Sequence, residues 1–437
     1  MAQALSGLLS SGLSGSVRVP GDKSISHRAL IFGALSIGET EITGLLEAED
    51  VLATAKAVSQ MGADVKQLGE GHWRVRGLGI GGLQAPSDVL DFGNSGTAAR
   101  LMMGVIAGHS FEAKFVGDES LSSRPMARVL EPLSQMGLDW HEDYDHLPLT
   151  LIGPSRTLPM TYELPVPSAQ VKSAVLIAGL FAPGITQVIE KEATRDHTER
   201  MLSYFGAKLT VTPEGDTRRI AIEGDAELKG APVIVPSDPS SAAFLTAAAL
   251  ICPDSDITIE GVLLNPTRTG FYQTLLEMGA DITFVNEREE NGEPIGDIRV
   301  RTSQLKGITV PAERAPSMID EYPMLACLAG FATGQTRMCD LGELRVKESD
   351  RLSATKAGLQ AALIACDIKG DDLIVEGTGQ VEGGGFVKTH MDHRIAMSFL
   401  VLSLGAKQPM VVDDTRMIAT SFPNFIALME GLGCRFK

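Results

Sequence analysis

Apolar residues along this chain fall into two helical patterns that alternate from end to end. The first is amphipathic and closes on a small residue just before a short strand. Its copies are Met61-Gly62-Ala63-Asp64-Val65, Met136-Gly137-Leu138-Asp139, Phe205-Gly206-Ala207, Met278-Gly279-Ala280-Asp281-Ile282, Ile364-Ala365-Cys366-Asp367-Ile368 and Leu432-Gly433-Cys434. A small residue, glycine above all, can take the left-handed conformation that ends a helix, so each phrase predicts a helix stop and a strand start. The copies lie about 70–85 residues apart, too far for solenoid repeats of roughly 20–50 residues, so the repeating object is a whole supersecondary unit. The second pattern is apolar nearly all round, over residues 29–35, 98–107, 173–182, 242–252, 324–331 and 395–404. Helices with so little polar face are buried. Short β-branched or alternating runs, such as 41–43, 257–259, 308–310 and 410–412, predict the strands. Each unit therefore reads strand–helix–strand–helix–strand, with one buried and one half-exposed helix. Residues 287–296 read as a polar hairpin or loop.

A chain of 437 residues exceeds the roughly 250–300 at which one core stops growing, which predicts two domains of three units each. Three units fit between the Pro/Gly-containing segments 19–21 and 235–238. The expected lobes are 20–237 and 1–19 plus 238–437, residues 1–19 completing the second lobe as a terminal strand. Five scattered cysteines in apolar contexts suit a reducing compartment and offer no metal or disulfide framework. The longest apolar runs fall short of the ~20 residues a membrane span needs. The opening MAQALSGLLSSGLSG lacks the basic region of a signal or transit peptide. Its absence points to a bacterial cytoplasm, with no plastid precursor and no membrane partner. The formal charge of −17 argues against nucleic acid, whose phosphates need a basic surface.

The polar heads of the buried helices change the picture. Ser, Thr, Asn and Asp there are ordinary N-caps. Cations are not: the positive end of the helix dipole disfavours each by roughly 0.3–1 kcal/mol. Lys23, Arg28, Lys172, His393 and Arg394 all stand in the first two turns of such helices. A bound anion would compensate them, since helix N-termini offer unpaired N–H groups. The pattern predicts a site for multiply charged anions.

Seven segments now fall into register: 21–28 (GDKSISHR), 93–100 (GNSGTAAR), 123–125 (SRP), 168–170 (SAQ), 320–321 (DE), 346–351 (VKESDR) and 392–394 (DHR). Together, from about residue 15 to about 425, the chain resembles the 5-enolpyruvylshikimate-3-phosphate synthase family. The resemblance implies an α/β (α+β) architecture, the two-domain inside-out α/β barrel of the enolpyruvyl transferase fold. It has six βαβαββ repeats, three per domain, with the active site in the cleft between domains. It implies transfer of the enolpyruvyl group from phosphoenolpyruvate to the 5-hydroxyl of shikimate 3-phosphate through a tetrahedral intermediate, releasing phosphate. It implies a monomer; no residue set has metal-ligand spacing, and none of the eight histidines clusters beyond His390 and His393, so no metal and no cofactor is expected.

By the same resemblance Asp320 is the base, Lys23 touches both substrates, and Glu348 is a candidate acid for the methylene carbon. Lys23, Ser24, Arg28, Ser168, Ala169, Gln170, Arg195, Asp320 and Lys347 would hold shikimate 3-phosphate. Lys23, Gly96, Arg124, Gln170, Arg351 and Arg394 would hold phosphoenolpyruvate, whose carboxylate and phosphate suit bidentate guanidinium groups. Asp50, Asn94, Thr97 and His393 would support them from behind. Taken singly, Asp320 reads as an N-cap, Lys347–Glu348 as a helix-surface pair, and each arginine as a surface ion-pair partner. Ala169 stands where many family members carry a second serine. Thr420 stands where one branch carries a phosphoenolpyruvate-contacting lysine. Residues 313–320 (ERAPSMID) and 194–197 (TRDH) resemble the other branch, class II. Gly96 remains glycine where glyphosate-tolerant members of that branch have alanine, so glyphosate is an expected inhibitor. The sister transferase acting on UDP-N-acetylglucosamine carries a reactive cysteine that residues 116–124 lack. A non-catalytic repeat scaffold would need no cations at helix N-termini, and an RNA-processing relative fits poorly with −17.

Overall fold

The computed structural model describes residues 3–437; residues 1 and 2, part of the segment expected to end the second lobe, lie outside it. The chain divides into two compact units. One takes Gly21–Val235 together with Glu290–Glu293. The other takes the N-terminal segment to Pro20, Pro236–Glu289 and Pro294–Lys437. Residues 290–293, expected inside the second lobe, are the tip of the hairpin between strands Asp281–Glu290 and Glu293–Arg301. They group with the first unit because Glu293 pairs with His197 at 2.8 Å and the Gly292 carbonyl accepts from Arg200 at 2.8 Å.

Each unit repeats one motif three times. An edge strand runs parallel to a second strand, which is antiparallel to the fourth, with the third outside it. Thr161–Glu163, Ile185–Glu190, Thr217–Glu223 and Leu209–Glu214 show the order. The chain closes each set on itself. Val233–Ile234 serves as edge strand for the first sheet of its unit, beside Ile37–Thr43. Ser14–Val17 serves likewise beside Asp256–Leu263. The last copy has no fourth strand of its own. Leu5 bridges to Val412, and Gly7–Leu8 pairs with Arg435–Phe436, so the N-terminal segment supplies it.

The buried helices span Lys23–Leu35, Gly96–Ile106 and Ala169–Gly179 in one unit. Pro239–Ile251, Tyr322–Phe331 and His393–Gly405 are their counterparts in the other. Within each unit they pack on one another beneath the sheets, and their apolar residues are almost wholly inaccessible. The outer helices end alike. In all six copies the left-handed residue donates three residues back and its successor donates five residues back, as in Gly62 to Ser59 and Ala63 to Val58. Five copies use glycine there (62, 137, 206, 279 and 433). The fifth uses Leu363 at φ +60°, not Ala365. Ala365 instead opens the following strand. The small residue of that phrase lies two positions past the turn, because a left-handed leucine leaves no compositional mark.

Candidate active site

Each unit gathers charged side chains at the N-termini of its buried helices. In the first unit, Asp22 caps the Lys23–Leu35 helix by accepting from the Ile25 amide. Lys23 pairs with the Asp50 carboxylate, and both are largely enclosed. Arg28 is buried, donating to the Ser24 carbonyl (2.9 Å), Thr198 (2.7 Å) and Ser173 (2.8 Å). Burial pulls its guanidinium down to about 10, and Arg195 lies close enough to add to that. Ser168 caps the Ala169–Gly179 helix. Ser95 caps Gly96–Ile106, whose first turn carries Gly96 and Thr97. Arg124 donates to Asn94 Oδ1 (2.8 Å) and to Ser120 (3.1 Å), while Asn94 donates to Asp118. Gln170 is fixed at both ends, accepting from Arg100 (2.8 Å) and donating to Thr97 (3.0 Å).

In the second unit, Asp320 does not cap a helix. Glu321 occupies the N-cap position of Tyr322–Phe331, without a side-chain cap bond. The Asp320 carboxylate instead faces Arg351 Nη1 at 3.3 Å and Arg394 Nε at 3.8 Å. Lys347 is half-buried; burial lowers its ammonium, and Asp320 opposes that shift. Residues 347–348 lie between the turn Gly342–Val346 and the helix Arg351–Ala361, so they are not a helix-surface pair. Glu348 pairs with Arg351 at 2.5 Å. Arg351, one of the largest fully buried side chains, also donates to Asp392 at 2.8 Å. Burial alone would depress it, but Asp392, Glu348 and Asp320 raise it well above the ordinary arginine value. His393 is buried and falls to about 4, through burial first and Arg394 second. Thr420 stands 3.4 Å from His393 Nδ1 and donates to the Met417 carbonyl.

One expected anion is supplied by the protein itself. Lys172, fully buried, is met by Glu199 at 2.6 Å and Glu190 at 3.2 Å, so it needs no ligand. Glu190 and Glu199 are not adjacent to Lys172 in sequence, and only the fold brings them to it. Among the described residues, Asp196, His197 and Glu293 alone form a histidine–carboxylate group close enough to share an ion. Arg200 already faces those carboxylates, at 2.8 Å from Asp196 and 3.7 Å from Glu293.

Several site neighbours went unsingled in the sequence. Arg100 lies one helical turn after Gly96 and could have been read from that spacing. It orients Gln170, and burial beside Arg124 and Arg128 pulls it down to about 10. Ser173 and Thr198, which hold Arg28, and Ser240 and Arg268, described below, carry no motif signal.

Comparison with known proteins gives consistent findings. Residues 9–429 match the family model for EPSP synthase (3-phosphoshikimate 1-carboxyvinyltransferase). A Parvibaculum lavamentivorans protein named 3-phosphoshikimate 1-carboxyvinyltransferase is 59% identical, covering 100% of this chain and 97% of its own length. A Rhodopseudomonas palustris protein of the same name is 60% identical, over 98% of this chain and 97% of its own. A solved EPSP synthase from Acinetobacter baumannii superposes with a TM-score of 0.89 at 43% identity, covering both chains fully.

Proposed function

The chain belongs to the EPSP synthase family, and from that premise we propose how its residues carry out the family's reaction. It is a transferase that moves the enolpyruvyl group of phosphoenolpyruvate to the 5-hydroxyl of shikimate 3-phosphate and releases phosphate, in aromatic amino acid biosynthesis. The observation that carries the assignment of roles is the Asp320 cluster. One carboxylate faces Arg351 and Arg394, with Lys347 near enough to feel its charge, and the three cations come from two separate segments, 346–351 and 392–394.

Asp320 takes the 5-hydroxyl proton as that oxygen bonds to C2 of phosphoenolpyruvate. Glu348 delivers a proton to the methylene carbon, giving a tetrahedral ketal phosphate. Loss of a methyl proton and of the C–O bond to phosphate then restores the double bond. Arg124, Arg351 and Arg394 hold the donor's carboxylate and phosphate through their guanidinium N–H groups. Lys23, Ser24, Arg28, Ser168, Gln170, Arg195 and Lys347 hold shikimate 3-phosphate, with Ala169 leaving one hydroxyl fewer. Lys23 and Gln170 contact both substrates, supported by Asp50 and Thr97, while Asn94 supports Arg124 and His393 supports Thr420. Gly96 leaves room beside the donor, so glyphosate competes with phosphoenolpyruvate. The protein works as a monomer in the bacterial cytosol, in keeping with its five free cysteines; among the described residues no helix is long and apolar enough to cross a membrane.

The test is phosphate release from shikimate 3-phosphate plus phosphoenolpyruvate, with UDP-N-acetylglucosamine as control acceptor. Release only with the shikimate acceptor supports the reading, and release only with the nucleotide sugar overturns it. Asp320→Ala lowers turnover by about two to four orders of magnitude, as loss of a general base does.

A further inference from the structure

Glu321 follows the proposed base and has no part in the steps above. It is buried, 4% exposed. One carboxylate oxygen accepts from the Ser240 hydroxyl in a close contact and stands 3.9 Å from Arg394 Nη1. The other has no hydrogen-bond partner. Ser240 belongs to the buried-helix head at residues 238–241, which carries no cation. Its place is fixed in turn, because Arg268 donates to Ser240 Oγ (3.0 Å) and to Asp238 (2.9 Å), and Asp238 caps the same helix. The same Arg394 Nη1 donates to the Asp320 carbonyl at 3.4 Å.

We propose that Glu321 is a positioning residue for the donor substrate: braced by Ser240, it holds the Arg394 guanidinium beside Asp320. The carboxyl group in that place braces the arginine from behind without touching substrate, and it does so best when neutral. A buried carboxylate with a bare oxygen is costly when ionised. Burial, and then Asp320, push Glu321 up from the ordinary carboxylate range, while Arg394, Arg268 and Ser240 oppose them. The charged or titratable groups facing it are Asp320, Arg394, Arg268, Tyr272 and Tyr322. As Glu321 ionises it pulls Arg394 back toward itself and repels the incoming donor anion. The Michaelis constant for phosphoenolpyruvate therefore rises with pH through that titration.

The inference rests on the donor-binding role given to Arg394 above, so Arg394→Met is measured beside Glu321→Ala and Glu321→Gln. Steady-state constants for both substrates are taken across pH 5.5–8.5, with thermal melting to certify folding. Glu321→Ala is expected to raise KM for phosphoenolpyruvate about tenfold while KM for shikimate 3-phosphate stays within about twofold. Glu321→Gln, which keeps the shape and the Ser240 contact, is expected to keep KM for phosphoenolpyruvate near the wild-type low-pH value and flatten its pH dependence. A folded Glu321→Ala variant with unchanged KM for phosphoenolpyruvate, or with both KM values and kcat damaged alike, overturns the proposal. So does a Glu321→Gln variant that keeps the wild-type pH profile. If Arg394→Met leaves KM for phosphoenolpyruvate unchanged, the donor-site reading itself has failed, and the proposal with it.

Discussion

Replacing Lys172 by methionine tests whether buried charge, not ligand, accounts for the cation at the head of the Ala169–Gly179 helix. The ammonium sits 2.6 Å from Glu199 and 3.2 Å from Glu190, with all three side chains no more than 5% exposed. The Thr194 carbonyl lies 3.4 Å away. Methionine fills similar space and removes the charge, leaving two carboxylates in one dry pocket with Arg218 still on Glu190. Breaking a buried pair by removing one partner costs about 3–5 kcal/mol. If the first unit, of roughly two hundred residues, melts on its own, that is a fall of roughly 6–20 °C. The pH dependence gives the sharper check. Burial alone would raise Glu190, but Lys172, then Arg218 and Thr194, hold it below the ordinary value. A carboxylate lowered in the folded state contributes stability above its unfolded pKa, and that contribution is lost as pH falls through its folded pKa. In the variant the main counter-charge is gone, and one of the two carboxylates can protonate at little cost. The deficit is therefore greatest near neutrality and narrows toward pH 5. Ser173 and Thr198, neighbours in sequence of Lys172 and Glu199, both hold Arg28, so KM for shikimate 3-phosphate should rise roughly threefold to tenfold. Calorimetry at pH 7.5 and pH 5 with parallel kinetics decides it. A stability loss below about 1 kcal/mol, or one that does not change with pH, would refute the reasoning.

Other changes follow from single contacts. Gly96→Ala would place a methyl 3.0 Å from Arg100 Nη1 and 3.4 Å from Arg124 Nη1, with no backbone penalty. Both arginines must give, so KM for phosphoenolpyruvate rises about tenfold and the half-inhibitory concentration of glyphosate rises further; unchanged values for both would count against the donor site. Leu363→Gly removes a left-handed leucine whose side chain is 73% exposed and loses little packing. The relief of ~1–2 kcal/mol exceeds glycine's extra entropy in the unfolded chain of ~0.5–1 kcal/mol, so denaturant melts should show a small gain; a loss would contradict the strain. His393, at about 4 when folded, binds fewer protons than the unfolded chain between about pH 6.5 and 4, so its contribution to stability falls as pH drops through that window. His393→Gln should flatten that part of the stability–pH curve, and an unchanged slope would place the acid sensitivity elsewhere.

The apolar periodicities fixed the two helix types, because a helix with no polar face has nowhere to go but inside. The glycine phrases marked five helix ends, since a left-handed turn favours a residue without a Cβ. The fifth end was misplaced, because Leu363 pays strain in place of advertising a turn. Residues 1–19 read as a terminal strand of the second lobe, but the partners Gly7–Leu8 takes there lie more than four hundred positions away, and only the fold sets them.

Sequence alone determined which cations stand at buried helix heads, and hence that anions must be near them. Which anion each cation meets was decided only by tertiary structure. Lys172 meets Glu199 and Glu190, Lys23 meets Asp50, and Arg394 meets Asp320 and Glu321. Local pattern follows from propensity and burial, which act residue by residue. Charge pairing is a long-range bargain struck across the fold, and a linear chain carries no record of it until the helices are packed.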